Sequence, residues 1–304
     1  MITFIDLFCG IGGIRIPFEK LAYKCVFSSE IDNFARITYE ANFREIPSGD
    51  ITKIPKENIP SHDILLAGFP CQPFSNAGLK KGFMDTRGTL FFNILEIIKY
   101  HKPKVVFLEN VKGFKSHDKG NTFSTVKTLI ENEGYNFYYE VLNSKNFGVP
   151  QNRERIYMIA VLKQFNESEF EFPKFDIKTK LGDILENNVH DKYTISDKLW
   201  EGHRRRKEQH KLKGNGFGYC IFNENSEYTS TLSARYYKDG SEILIEQPFK
   251  NPRKLTPREC ARLQGFPEDF KIVVSNVQAY KQFGNSVSIP VIEALSEKIK
   301  KFFS

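Results

Sequence analysis

No apolar run in the sequence reaches the ~18 residues that a membrane span needs, so no spanning helix is expected. A basic leader with a small-residue cleavage site is missing from Met1–Asp6, so no signal peptide is expected. Cysteine is sparse: Cys9, Cys25, Cys71, Cys220 and Cys260 make five, widely spaced and without a Cys-x-x-Cys pair. An odd, scattered set argues against a disulfide framework or a zinc cluster, and a reducing cytoplasm is the expected home. No metal site is expected. Internal repeats and low-complexity tracts are absent too. Apolar residues at 40% and charged residues at 27% are ordinary for a folded protein, which excludes intrinsic disorder.

What is present fits a two-domain globular chain of 304 residues. Lys and Arg exceed Asp and Glu by 44 to 37, a net charge of +7 that favours a polyanionic partner. The first half alternates strand-like and helix-like stretches. Ile2–Phe8, Cys25–Ser29, Asp63–Ala67, Val105–Leu108 and Ile156–Val161 read as strands. Helical spacing marks the stretch up to Leu21, Asn33–Phe43, Leu90–Ile98 and Thr122–Glu131. Such alternation predicts an α/β fold with a mostly parallel sheet covered on both faces. The pattern breaks near Lys163, and from about Glu167 to Lys250 little periodicity remains. Thr256-Pro257-Arg258-Glu259 matches a capping box with proline at the first helical position. A last helix from about Pro290 to Phe303 carries an apolar face of Ile292, Leu295 and Ile299 that needs a partner.

Chemistry gathers at the ends of the strands, where open α/β sheets place ligands. Cys9-Gly10-Ile11-Gly12-Gly13 follows the first strand, and its glycines let backbone approach a ligand closely. Glu30 ends the second strand, twenty residues after Gly10, where an acid suits a ribose diol. Arg15 replaces the third glycine of the dinucleotide pattern, which favours another ribose-bearing cofactor. Asp50 closes the next strand-like element. Cys71 sits between prolines in Phe69-Pro70-Cys71-Gln72-Pro73-Phe74-Ser75, a place for a nucleophilic thiolate. The polar, glycine-punctuated stretch 76–88 suits a lid over a polyanion. Val105–Leu108 delivers Glu109-Asn110-Val111 to the same edge, where burial favours an acid role for Glu109. Arg153 and Arg155 stand two apart ahead of the next strand, so both are expected on one face, suited to phosphate or a base carbonyl.

Taken in order, these blocks resemble those of the cytosine-C5 DNA methyltransferases of bacterial restriction–modification systems. Carrying the resemblance are Asp6 to Gly13, Gly68 to Ser75, Glu109-Asn110-Val111, Gln151-Asn152-Arg153-Glu154-Arg155, Arg253 to Pro267, and Gln282-Phe283-Gly284-Asn285-Ser286-Val287. The resemblance implies a Rossmann-like S-adenosylmethionine-dependent methyltransferase sheet plus a smaller target-recognition domain. It divides the chain into a catalytic and cofactor-binding domain of residues 1–166, completed by 277–304, and a DNA-reading domain of 167–276.

It also implies roles. Cys71 attacks C6 of a cytosine flipped from the duplex, and Glu109 contacts N3 and the exocyclic amine. Arg155 bonds O2, and Arg153 helps hold base or backbone. The cofactor is S-adenosyl-L-methionine, leaving as S-adenosyl-L-homocysteine. Phe8 packs on its adenine, the Gly10-Ile11-Gly12-Gly13 backbone lies along its methionine part, and Glu30 binds its ribose. Asp50 bonds the adenine amine between Ile31 and Ile51. Pro70, Leu90, Asn285, Ser286 and Val287 close the pocket. Gln72, Ser75, Lys80, Lys81 and Arg87 are assigned to DNA, as are Thr231, Leu232, Arg235 and Tyr236 in the variable middle. Arg204-Arg205-Arg206-Lys207 suits backbone phosphate or a solvated face. The implied partners are double-stranded DNA and, functionally, a restriction endonuclease, with the chain acting as a monomer away from membranes. Two alternatives stay open at this point: a tRNA cytosine-C5 methyltransferase on the same fold, and a catalytically inactive DNA-binding relative.

Overall fold

Short runs of β-branched and aromatic residues build the sheet, and buried strands of this kind read as continuous apolar stretches. In the computed structural model residues 1–70, 90–165, 169–216 and 218–303 are described. Cys71, Gln72, Ser75, Lys80, Lys81, Arg87 and the 76–88 stretch lie outside the described residues. Along the chain come β1 (Thr3–Leu7), α1 (Arg15–Lys20), β2 (Lys24–Ser29), α2 (Asn33–Phe43) and β3 (Ile64–Gly68). These are followed by α3 (Leu90–His101), β4 (Val105–Val111), α4 (Asn121–Asn132), β5 (Tyr135–Asn143) and β6 (Glu154–Leu162).

The six strands form one sheet in the order β2-β1-β3-β4-β6-β5. β2, β1, β3 and β4 pair in parallel, and β6 runs antiparallel to β4. One face carries Ile5, Leu7, Leu65, Ala67, Val106 and Leu108 against Phe91, Ile94, Ile98, Val126 and Ile130 of α3 and α4. On the opposite face Phe18 of α1 meets Phe4 and Phe107, with ring centroids 5.8 and 6.1 Å apart. Each such fully buried side chain contributes roughly 1.5–3 kcal/mol.

The chain divides into two compact units. Unit 1 holds residues 1–142, 154–173 and 292–304, and unit 2 holds 143–153 and 174–291. This division differs from the expected one in three stretches: 143–153 and 277–291 fall in unit 2, and 169–173 fall in unit 1. Residues 143–153 fold with unit 2, because the side chains of Gln151 and Arg153 are spent on partners there. Residues 277–291 also fold with unit 2, where Gly265 admits Pro290 so closely that a Cβ would lie 2.4 Å from it.

In unit 2, helix α5 (Asp197–Leu212) is followed by short strands β7 (Ile221–Phe222), β8 (Leu244–Ile245) and β9 (Arg253–Lys254). Helices α6 (Pro257–Leu263), α7 (Asn276–Asn285) and α8 (Ile289–Lys300) come next, with the join between the units falling inside α8. The expected cap of α6 is present. Thr256 accepts the Glu259 N–H, Glu259 accepts the Thr256 N–H, and Pro257 takes the first position. The expected apolar face of α8 is buried, with Ile292, Leu295 and Ile299 at 0% exposure.

Candidate active site

Parallel pairing brings four strand ends to one edge. Leu7 stands opposite both Ser29 and Ala67, and Gly68 stands opposite Glu109. Phe8, Glu30 and Phe69 therefore leave the sheet on the same side, beside Glu109 near the end of β4.

The turn after β1 is built for close backbone approach. Phe8, Gly10 and Gly12 all have left-handed φ, at 55°, 55° and 84°. A Cβ on Gly12 would lie 2.2 Å from the Phe43 ring, so only glycine fits. The Gly10 N–H donates to Glu30 Oε2 at 2.9 Å, while Glu30 Oε1 accepts the Asp32 N–H at 2.8 Å. These bonds aim the Glu30 carboxylate at the turn and leave acceptor capacity for a ligand diol. Ser48 continues the pairing beyond β2: Glu30 N–H donates to its carbonyl and its N–H to Ser28, both at 2.8 Å. Asp50 is thus carried to the same rim. There it accepts from Thr52 N–H at 3.0 Å and Oγ at 2.7 Å, which holds its carboxyl below the usual carboxylate range. Ile51 is buried, Ile31 is 70% exposed, Pro70 is exposed, and Leu90 opens α3 half-buried.

Beneath the turn lies a buried polar group that the sequence reading gave no role. Asp6 is fully buried in β1, and neither carboxyl oxygen has a hydrogen-bond partner among the described residues. Burial raises its pKa to about 8, opposed by Arg15. A carboxyl so placed is neutral at physiological pH.

The acid at the end of β4 is paired. Arg155 Nε lies 3.3 Å from Glu109 Oε1, with both side chains largely buried. Arg155 faces Val111 across the antiparallel β4–β6 ladder, two steps from Glu109, so the two side chains share one face of the sheet. Asn110, quoted in its motif but given no role, donates to the Phe69 carbonyl at 2.8 Å. That bond ties the Phe69–Pro70 backbone, which leads into Cys71, to the strand that bears Glu109.

Arg153 corrects the expected pairing of the two arginines. β6 begins at Glu154, so Arg153 stands before the strand and shares no face with Arg155. It is buried in unit 2, where its guanidinium donates to the carbonyls of Leu232 at 2.9 Å, Gly284 at 3.2 Å and Ser286. A guanidinium held by three carbonyls is a clamp and not a free hand for base or phosphate. Gln151 does related work: its amide donates to Leu263 and Gln264, and its oxygen accepts the Leu232 N–H at 2.9 Å.

These clamps fix the variable segment around Thr231, whose hydroxyl donates to the Asn152 carbonyl at 2.6 Å. A Cβ on Gly284 would lie 2.3 Å from the Ser233 carbonyl oxygen, so α7 presses its end directly onto this segment. Two expected DNA contacts belong instead to the core of unit 2. Leu232 and Tyr236 are fully buried, and the Tyr236 hydroxyl donates to Ile243 and accepts from Leu255 N–H. Arg235 is exposed. Asn285 is exposed at the end of α7, Ser286 gives its carbonyl to Arg153, and Val287 is buried.

Comparison with known proteins decides the family. Residues 2–301 match the family model described as C-5 cytosine-specific DNA methylase. The chain belongs to that family. The Type II methyltransferase M.SsoII of Shigella sonnei is 60% identical over 97% of this chain and 79% of its own length. M.NlaX of Neisseria lactamica is 58% identical, covering all of this chain and 98% of its own. The Dnmt2 methyltransferase of S. pombe superposes with a TM-score of 0.81 over 99% of each chain at 21% identity, a likeness of fold. The methylase is thus an α/β enzyme that methylates cytosine C5 in DNA, and a methyl donor is required. The left-handed Gly10–Gly12 turn, open to backbone approach and faced by the Glu30 carboxylate, fits a donor carrying a ribose and an amino-acid tail.

Proposed function

We propose that this methylase modifies one cytosine in a short duplex site as the protective arm of a restriction–modification pair. The observation that carries the mechanism is the Glu109–Arg155 pair, held at 3.3 Å on the edge to which Asn110 tethers the Phe69–Pro70 backbone. The names of the Type II relatives support the pairing with an endonuclease. Every residue assigned to the reaction is carried by one chain, which is taken as a monomer.

Phe8, the Gly10–Gly13 backbone, Glu30, Ile31, Asp50, Ile51, Pro70 and Leu90 would hold S-adenosyl-L-methionine. Its sulfonium supplies an electrophilic methyl group. A cytosine inside the duplex hides C6, so the base is swung out at a cost of a few kcal/mol. The Cys71 thiolate adds to C6, forming a sulfur–carbon bond and moving the C5–C6 electron pair to C5. Glu109 holds N3 and the exocyclic amine, and the Arg155 guanidinium bonds O2, so both bear on the ring as charge builds in it. Once C5 has been alkylated, its proton leaves to a base, the C5–C6 double bond re-forms, and the thiolate departs.

The test is base-resolution mapping of 5-methylcytosine in a methylation-free host expressing this chain beside its Cys71→Ser variant. Methylation at one short motif, lost in the variant while DNA and cofactor binding persist, is the expected result. Full methylation by the variant would sink the mechanism.

A further inference from the structure

Helix α5 runs for sixteen residues yet buries one side chain, His203. A helix polar all round normally rests on many ion pairs. Here six Lys and Arg face three acids, and among the described residues only Arg206 has an ion pair, 3.1 Å from Asp239. Glu201 and Glu208 stand at pairing distance in sequence from Arg205 and Arg204, yet neither pairs with them. Arg204, Arg205 and Lys207 thus carry no ion pair among the described residues, and the like charges of Arg204 and Lys207, one turn apart, disfavour the helix slightly until an anion arrives.

The helix is nevertheless firmly placed. Ser196 caps its start, and His203 Nε2 lies 3.2 Å from the Asp239 carbonyl. That contact seats α5 on the turn that follows Thr231–Arg235 within the same unit. Trp200, Arg204, Lys207 and Lys211 fall at spacings of four, three and four residues, which is one face of a helix. Two of the three cations of this stripe are propped on rings. The Arg204 guanidinium lies 5.7 Å from the Trp200 centroid and the Lys207 ammonium 4.3 Å from that of Tyr219, while Trp200 and Tyr219 meet edge-on at 4.7 Å. Propped side chains lose less freedom when they bind.

We propose that the Arg204–Lys207–Lys211 stripe is a backbone-phosphate rail that grips duplex DNA beside the recognised site without reading bases. Seven residues of helix span about 10.5 Å. At about 3.4 Å of rise per phosphate on one strand, that covers roughly three phosphates. The inference rests on the duplex substrate proposed above.

The test measures affinity for a duplex bearing the methylated motif across a salt series. It compares the unsubstituted chain with Arg204→Gln/Lys207→Gln/Lys211→Gln and with the charge-preserving Arg204→Lys/Lys207→Arg/Lys211→Arg. Glutamine keeps helix propensity while removing charge. The expected glutamine variant has a log–log salt slope shallower by about 2–3, since each phosphate contact contributes about 0.9. Its affinity falls at least about tenfold near 0.1 M salt, and the gap narrows as salt rises. The ratio of affinities for cognate and altered motifs stays the same, and the charge-preserving variant keeps the original slope. An unchanged slope in the glutamine variant overturns the rail, and so does a changed cognate ratio, which would mean base reading. If the unsubstituted chain itself forms no 5-methylcytosine and shows no salt-dependent duplex binding, the failure lies with the proposed function instead.

Discussion

Arg153 and Arg155, two apart in one motif, end in different work. Arg155 lies on β6 beside Glu109, while Arg153 is locked under the carbonyls of Leu232, Gly284 and Ser286. Arg153→Ala leaves three buried acceptors without this donor, so it is expected to cost roughly 2–5 kcal/mol in urea denaturation. Arg155→Ala removes a donor at the reacting edge, and its expected signature is a fall in kcat/KM of roughly 10²-fold with a much smaller loss of stability. The reverse pattern, with Arg155→Ala unfolding and Arg153→Ala merely slow, would refute this division. The sequence displayed both residues but not the difference between them. A period-two reading assumes both lie in the strand, whereas Arg153's partners stand 79 to 133 positions away. Glu109 was legible because a buried strand delivers it to the ligand edge whatever the distant contacts are.

Elements were legible where their signals are local. The α6 cap is an exchange of bonds across three residues, and Thr256, Pro257 and Glu259 announce it in the sequence. Helix α5 gave no such sign, because with only His203 buried it has no apolar stripe for periodicity to find. Strand β5 also went unseen: its Tyr135-Asn136-Phe137-Tyr138-Tyr139 run alternates weakly. The antiparallel course of β6 is a pairing choice that no single strand encodes. The α6 cap also shows why a local motif understates what its residues do. Glu259 is fully buried, and both its oxygens accept from Arg253 at 2.8 Å. Thr256→Ala removes one cap acceptor and is expected to lower stability by about 1 kcal/mol. Glu259→Ala strands a buried guanidinium, and about 3–5 kcal/mol is expected. Equal losses for the two variants in chemical denaturation would show that Glu259 serves as a cap and nothing more.

At the scale of the molecule, two buried groups of unit 1 set opposing responses to pH. The Asp6 pKa is about 8 in the fold because burial raises it, with Glu30, Glu45 and Glu19 adding to the rise and Arg15 opposing it. Between about pH 4 and pH 8 the unfolded chain has released this proton and the folded chain has not. Stability therefore falls as pH rises through that window, by roughly 5–6 kcal/mol if Asp6 acts alone. His62 is pushed down to about 4 by burial, aided by the nearby His101 ring, so it stays neutral in the fold. Below its ordinary pKa the unfolded chain takes up a proton that the folded chain refuses. Its contribution is lost as pH falls from about 6.5 to 4, by about 3 kcal/mol. Across that lower window the two slopes oppose each other, and His203, also pushed down by burial, adds to the His62 side; above it the Asp6 slope stands alone among the three. Urea midpoints of the unsubstituted methylase are expected to change less from about pH 4.5 to 6.5 than from there to pH 8, where they fall. Asp6→Asn removes the acid's proton from the balance. Its midpoints should climb from about pH 4.5 to 6.5, driven by His62 and His203, and then level off. An Asn variant whose midpoints still fall between pH 6.5 and 8 would assign that slope to some group other than Asp6.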